Sequence, residues 1–348
     1  MSRLALLALF GLAALVIAGP LSKLDLDGIL DDATANSFNT FKSRFGRKCA
    51  DGSADCKARK RNFARNWKYV LEKNKTCDGY QLGMTDLMDL SEAEKESRLL
   101  GKDFQPKIDE SVQLVHPDDA PRRRKRDAAA SEDYRQYDLV NPIRNQGGCG
   151  CCWAFSSVAA IEIQSNWVND KYGSSMRQFS DQHVLDCTGS GATCAGGWPS
   201  DAISRVNSSG IALLATLPYK TSKSTTCPTP SVVRPVTGLT MLTNNPAGTR
   251  DFIWYTGPVV ACFQVCNDFY SYTNGIYTRN CKTTDSDYKG GHAITLIGYG
   301  TEGGIDYWLG RNQWGTGWGM AGYFKIKRGA DTASIESYHT VGPICGTI

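Results

Sequence analysis

Cys152 lies in Gln146-Gly147-Gly148-Cys149-Gly150-Cys151-Cys152-Trp153-Ala154-Phe155-Ser156, where a glycine-rich turn runs into an apolar stretch free of Gly and Pro as far as Val168. That pattern predicts a buried helix opening at Cys152, where unsatisfied amides and the macrodipole favour a thiolate, the nucleophilic form of sulfur. A cysteine seen alone is more often half of a disulfide. Here it is accompanied by His292, one of only four histidines, which follows Gly290 and Gly291 and opens an apolar run through Tyr299. Such a ring serves as general base and acid, and the glycines let a substrate backbone approach. Asn312, in Arg311-Asn312-Gln313-Trp314-Gly315, supplies a third group. Its side-chain oxygen can accept an imidazole N–H and fix the ring, with Trp314 covering the bond from water. The bland alternatives are a structural histidine and a simple Asn-Gln-Trp-Gly turn.

The elements that must position these groups fall into two halves. From about 152 to 206 the texture is helical; from about 232 to 341 β-branched and aromatic residues alternate between Gly and Pro turns. An α+β chain with two lobes of roughly 100 residues and a cleft between them is the simplest architecture.

Upstream, Arg3 precedes an apolar run from Leu4 to Ile17 and the small residues Ala18 and Gly19. This reads as a signal peptide over 1–19, too short to span a bilayer. Residues 21–100 read as charged and helical, with Phe38, Phe41 and Phe45 at spacings of three and four. Arg59, Phe63, Asn66, Val70 and Asn74 form one helical stripe within 55–73. Core packing accounts for the apolar members of that stripe but leaves its asparagines unexplained. A Pro-, Asp- and Gln-rich linker over 101–121 ends in Arg122-Arg123-Arg124-Lys125-Arg126, which must be solvated and open to a protease reading paired basic residues. Cleavage is expected between Arg126 and Asp127.

The 348 residues carry a net charge of +4. From Asp127 onward there are 16 Lys and Arg against 17 Asp and Glu, so the basic excess belongs to the first 126 residues and gives no argument for nucleic-acid binding. Thirteen cysteines and sequons at Asn74 and Asn207 point to an oxidising, secretory compartment with glycosylation at both.

Taken together, the motifs around Cys152, His292 and Asn312 resemble those of the papain-like cysteine peptidases, the cathepsin family. Asp55, Arg59, Phe63, Asn66, Val70 and Asn74 resemble the interspersed propeptide motif of the cathepsin L-like branch, with Asp and Val as departures. Gly83, Thr85, Leu87 and Asp89 resemble a second propeptide motif. The resemblance implies a papain-like fold with a helical left lobe and an antiparallel, β-barrel-like right lobe. A mainly helical inhibitory propeptide would precede it, giving boundaries of 1–19, 20–126 and 127–348. It implies Cys152 as nucleophile, His292 as base and acid, Asn312 as orienter and Gln146 as oxyanion donor, with Cys152 and His292 sharing a proton as thiolate and imidazolium.

It further implies Gly196 and Gly197 as backbone partners of the substrate, and Trp198, Pro199, Cys262, Gly291 and Tyr338 as walls of a pocket taking an apolar P2 side chain, with Trp314 beside them. The disulfides it implies are Cys149–Cys194 and Cys187–Cys227. Cys281 matches half of a third, whose usual partner position holds Ala333, leaving Cys345 as a substitute. Cys262 and Cys266 have no evident mates. The expectation is a secreted or lysosomal zymogen of a cysteine endopeptidase, monomeric, without cofactor, metal or membrane span. Its partners would be protein or peptide substrates, its own propeptide and an activating protease. The alternative is a papain-fold binding or scaffold protein with impaired catalysis.

Overall fold

The computed structural model describes residues 36–104, 116, 119–120, 127–189 and 191–348; the signal-peptide segment and the basic run 122–126, including Arg126, lie outside the described residues. The phenylalanine-spaced segment forms helix α1 (36–45) and the stripe forms α2 (Ala54–Lys73). Ser53 caps α2 by accepting from the Cys56 amide, Asp55 lies in its first turn and Lys73 in its last, a charge order that suits the helix dipole. Phe63 is fully buried with its ring 5.5 Å from Phe38 and 5.1 Å from Phe41. The asparagines of the stripe have a different task from the phenylalanines. Asn66 donates to the Met88 carbonyl at 2.8 Å and accepts from Lys95, while both amide atoms of Asn74 bond the Leu82 backbone. They hold β1 (Tyr80–Leu82) and α3 (Glu92–Glu96) against α2. A Cys49–Cys56 disulfide joins the loop before α2 to its first turn.

After the short strand β2 (Glu132–Asp133) comes the helical lobe: α4 (Cys152–Val168), α5 (Asp181–Cys187) and α6 (Pro199–Ser209). Every residue of α4 from Cys152 to Asn166 is buried, so it is a central helix with no solvent face. Its one acid, Glu162, is paired with Arg144 at 2.5 Å, and Arg144 also holds Asp181 at 2.9 Å. That pairing lets charge sit in the core. The pair β3 (Ile211–Ala212) and β4 (Val232–Val233) closes this lobe.

The second lobe is built on β5 (Val236–Met241), α7 (Pro246–Tyr255), β6 (Val259–Cys266), β7 (Tyr272–Tyr277), β8 (Tyr288–Glu302), β9 (Ile305–Arg311), β10 (Tyr323–Lys327) and β11 (His339–Cys345). Their order in the sheet is β1-β7-β10-β9-β8-β6-β11-β5, with β2 also on β8. The expected α+β papain-like architecture is present, with a second lobe that is barrel-like without closing. The ladder is open, ending on β1 from the amino-terminal segment at one edge and β5 at the other, and β7 with β10 is a parallel pair. Among the described residues, no helix is long and apolar enough to cross a membrane.

Candidate active site

Cys152 is the first residue of α4, with Cys151 at the N-cap position making no side-chain cap. The α4 start is clamped by the Cys149–Cys194 disulfide, and Cys187–Cys227 closes the far side of the same lobe. Close approach matters here: a Cβ on Gly150 would lie 2.5 Å from the Cys194 carbonyl and 2.6 Å from that of Leu99, and one on Gly197 would strike the Trp153 ring at 2.5 Å. Helix α4 is pinned to β8 by the Thr295 hydroxyl, which donates to the Ser156 carbonyl at 2.9 Å. That contact joins the helix of Cys152 to the strand of His292.

His292 Nε2 is 2.9 Å from Asn312 Oδ1, and the Trp314 ring lies 4.7 Å from the imidazole. Gln313 fixes the neighbouring backbone by donating to the Ala293 carbonyl at 2.7 Å, and its amide holds Asn312 Oδ1 at 2.9 Å. His292 Nδ1 is buried without a hydrogen-bond partner. The backbone of the next residue, Ala293, is among the groups that favour the Cys152 thiolate against burial. Gln146, Cys152, His292, Asn312 and Trp314 are all fully buried.

The segment after α3 lies across this site, and sequence reading assigned none of its residues to it. The Leu100 amide donates to the Gly291 carbonyl at 2.8 Å, an antiparallel bridge across the cleft. The Gln146 side-chain amide donates to the Arg98 carbonyl at 2.8 Å and to that of Cys149 at 2.7 Å. Leu100 packs in one apolar cluster with Cys152, Cys262, Ala293 and Tyr338. Phe104 stacks on Trp198 with 3.8 Å between ring centres, and the Tyr338 hydroxyl donates to the Phe104 carbonyl. A Cβ on Gly196 would sit 3.6 Å from the Phe104 ring. Pro199 occupies the first turn of α6, where its missing N–H costs nothing. Segment 98–104 thus touches the oxyanion candidate and the pocket candidates at once. The signal available in the sequence was Leu99-Leu100 between a charged helix and a linker.

The strap sets the protonation of the site. Burial pushes the Cys152 thiol up to about 12, against the pull of the Ala293, Trp153 and Leu100 backbone amides. Burial likewise holds His292 down to about 4, although its Asn312 bond opposes this. In the full chain both groups are therefore neutral near pH 7. Both shifts disfavour the charged forms expected of the active enzyme while the site is closed, because excluding water penalises each charge.

Sequence reading missed Tyr219 as well. Its hydroxyl donates to the Gln146 carbonyl at 2.7 Å and lies 3.2 Å from the Cys151 sulfur. Cys151 and Cys152 are both reduced. The expected Cys281–Cys345 bridge is not made. Cys281 pairs with Cys266, fifteen residues away, while Cys345 is buried in β11 with its thiol directed at the Ile161 carbonyl. Cys266 at the end of β6 reaches the loop before β8, whereas the neighbouring β11 runs antiparallel to β6 and carries Cys345 past its other end. Cys262 remains a buried thiol. Of the two sequons, Asn207 is exposed on α6; Asn74 is exposed but has its amide engaged by Leu82. Asp127 is exposed.

Comparisons with known proteins bear on both segments. Residues 128–342 match the family model described as papain family cysteine protease, and residues 38–94 match that of the cathepsin propeptide inhibitor domain (I29). Thiol protease aleurain of Arabidopsis thaliana is 31% identical over 311 residues, covering 86% of this chain and 82% of the relative. Papaya proteinase 4 of Carica papaya is 34% identical over 275 residues, covering 76% and 74%. Among solved structures, digestive procathepsin L2 proteinase from Tenebrio molitor larval midgut superposes with a TM-score of 0.77 at 28% identity, over 89% of this chain and 99% of that one.

Proposed function

Since the chain belongs to the papain family of cysteine proteases and is made as a proenzyme with an I29-type propeptide, we propose that it hydrolyses peptide bonds through Cys152, His292, Asn312 and Gln146 once segment 98–104 has left the cleft. The observation that carries this reading is the His292–Asn312 pair at 2.9 Å, with Nδ1 buried and unpartnered, and with Leu100 of the segment bridged to Gly291, next to that ring. Asn312 Oδ1 accepts the Nε2 proton and so fixes the tautomer that leaves Nδ1 basic. Nδ1 takes the thiol proton, and readmitted water and peptide dipoles then stabilise the resulting ion pair. The sulfur attacks the scissile carbonyl, and the Gln146 amide, freed from Arg98, donates to the oxyanion together with the Cys152 N–H. His292 returns its proton to the leaving amine, and water hydrolyses the thioester. Loss of one oxyanion donor costs on the order of a hundredfold or more in turnover.

Leu100 models the substrate's apolar anchor. It fills the space among Cys262, Ala293 and Tyr338, so the reading assigns an apolar P2 preference to that pocket. Gly291 supplies the backbone acceptor that Leu100 now uses, and Gly196, Gly197, Trp198 and Pro199 line the opposite wall. The protein is assigned to the secretory pathway, lysosomal or extracellular, with residues 1–19 as leader and activation at Arg126–Asp127. Treating material cut after Arg126 with a thiol-reactive epoxide tests the assignment. Label is expected on Cys152 and lost in His292→Ala; equal labelling of Cys151 and Cys262 would overturn it. A peptide library varied at P2 should favour leucine-sized residues over charged ones.

A further inference from the structure

The amino-terminal segment also occupies a second surface, away from the cleft. Strand β1 adds to the outer edge of β7 with Tyr80 opposite Gly275, Gln81 opposite Asn274 and Leu82 opposite Tyr272. Gly275 is shaped for this: its φ is +84°, and a Cβ there would meet the Gly79 carbonyl at 2.4 Å and the Tyr80 Cα at 2.7 Å. Flanking bonds extend the ladder, with the Ile276 amide donating to the Gly79 carbonyl at 2.7 Å and the Gly83 amide to that of Ser271 at 2.8 Å. At one end of the edge lies Asp268, with a fully buried carboxylate. It accepts from the Tyr80 hydroxyl at 2.7 Å and from Tyr277 at 2.8 Å, and Arg279 lies 3.5 Å away. The Tyr80 ring meets Tyr277 edge-on at 4.9 Å.

Cleavage at the basic run and departure of the propeptide would strip this edge. It would leave a strand with no lysine or proline to blunt it and a buried carboxylate with one partner removed. We propose that the β7 edge, with Asp268 at its end, is an exosite of the processed enzyme that takes an extended segment of a protein substrate by strand addition, selecting a tyrosine opposite Gly275 and an apolar residue two positions on. Main-chain bonds supply the hold and the buried carboxylate supplies the selectivity, as in other strand-addition sites. The route to the cleft already exists in this chain. Fifteen residues separate Leu82 on the edge from Arg98 at the Gln146 amide, so one polypeptide engages both places. The rate part of this inference rests on the peptidase reading; the binding part does not.

Two measurements on enzyme processed from the full chain test it. In the first, Cys152 is blocked by the epoxide and a fluorescent peptide of residues 78–83 is titrated in. Saturable binding is expected, about tenfold weaker for the Tyr80→Phe peptide, which loses a hydrogen bond to a charged group, and lost for Leu82→Asp. In the second, a short cleavable peptide is compared with the same peptide carrying residues 78–83 upstream on a fifteen-residue spacer. KM is expected to fall about tenfold with kcat unchanged, and the Tyr80→Phe version should lose that gain. Equal binding of the tyrosine and phenylalanine peptides would overturn the exosite, as would a free segment that competes with the short substrate. No cleavage of either substrate, with binding intact, would instead count against the peptidase reading alone. The probe carries all the substitutions, so misfolding of an enzyme variant cannot imitate either result.

Discussion

The amino-terminal segment meets the rest of the chain in two ways that differ in kind. In the cleft, residues 98–104 are a strap: a backbone bridge to Gly291, a carbonyl on Gln146, Leu100 in a pocket and Phe104 on Trp198. Over the sheet edge, the segment is a folded body. Its aromatic core of Phe38, Phe41 and Phe63 supports α2, which positions β1 on β7 and also α3, whose Lys95 ammonium lies over the Tyr270 ring. The difference separates two jobs. The strap covers Gln146, Gly291 and the Cys152 cluster with few contacts, whereas the folded body has the buried apolar surface that makes binding firm. Inhibition is located in the strap and affinity in the body.

Changes in each region should therefore have different signatures. The largest effect belongs to the chemistry: Cys152→Ala is expected to lower turnover of the processed enzyme by a factor on the order of 10⁴ or more, while propeptide binding stays within a fewfold. Steady-state assays and a binding titration on the same preparation check this. Next comes Phe63→Ala, which removes a fully buried ring from the body and should cost about 3 to 5 kcal/mol of its stability. The activity readout is an inhibition constant for the released propeptide weakened by on the order of a hundredfold or more, with the strap sequence untouched. An unchanged constant would transfer affinity to the strap.

The pH dependence of strap release is smaller in effect and has a definite sign. His292 is held at about 4, below its ordinary 6.5, so closure favours the neutral ring. In a Cys152→Ala chain, where no thiol exchanges a proton with the released ring, the resulting stabilisation is complete above pH 6.5 and is lost as pH falls toward 4, by up to tenfold per pH unit from this one group. Stopped-flow release of the propeptide should accelerate across that window. A His292→Gln chain should lose this component of the acceleration. The smallest effect is that of Tyr80→Phe, where one hydrogen bond to Asp268 is removed. Propeptide affinity should fall about tenfold, with no change in turnover.

Much of this arrangement was legible in residue order. Cys152, His292 and Asn312 stand out because each sits in a local setting, a glycine turn or an aromatic-flanked run, that constrains backbone and side chain together. The helical and strand-rich halves followed from periodicity, and α4 to α6 and β4 to β11 follow them, with α6 and β11 running on to Ser209 and Cys345. What stayed hidden depends on distance in space. Asn66 and Asn74 were visible as a stripe, yet their partners, Met88 in a turn and Leu82 in the three-residue strand β1, lie where periodicity does not reach. The Cys266–Cys281 bridge is set by where β6 ends relative to the loop before β8, so availability of Cys345 was a poor guide. That β1 forms an edge strand of the sheet was not legible, because it comes from a segment that reads as helical. The neutral state of Cys152 and His292 is a property of burial under residues from another part of the chain.

The measurement that bears most directly on the account is the alkylation rate of Cys152 by iodoacetamide between pH 4 and 10, in the full chain and after propeptide removal. The full chain should react slowly throughout, with reactivity still rising at the alkaline end because burial holds the thiol near 12. The processed protein should react rapidly well below pH 7, and His292→Ala should abolish that acidic reactivity. Identical profiles for the two forms, or acidic reactivity that survives loss of His292, would contradict the claim that the strap keeps a thiol and an imidazole neutral which otherwise exchange a proton.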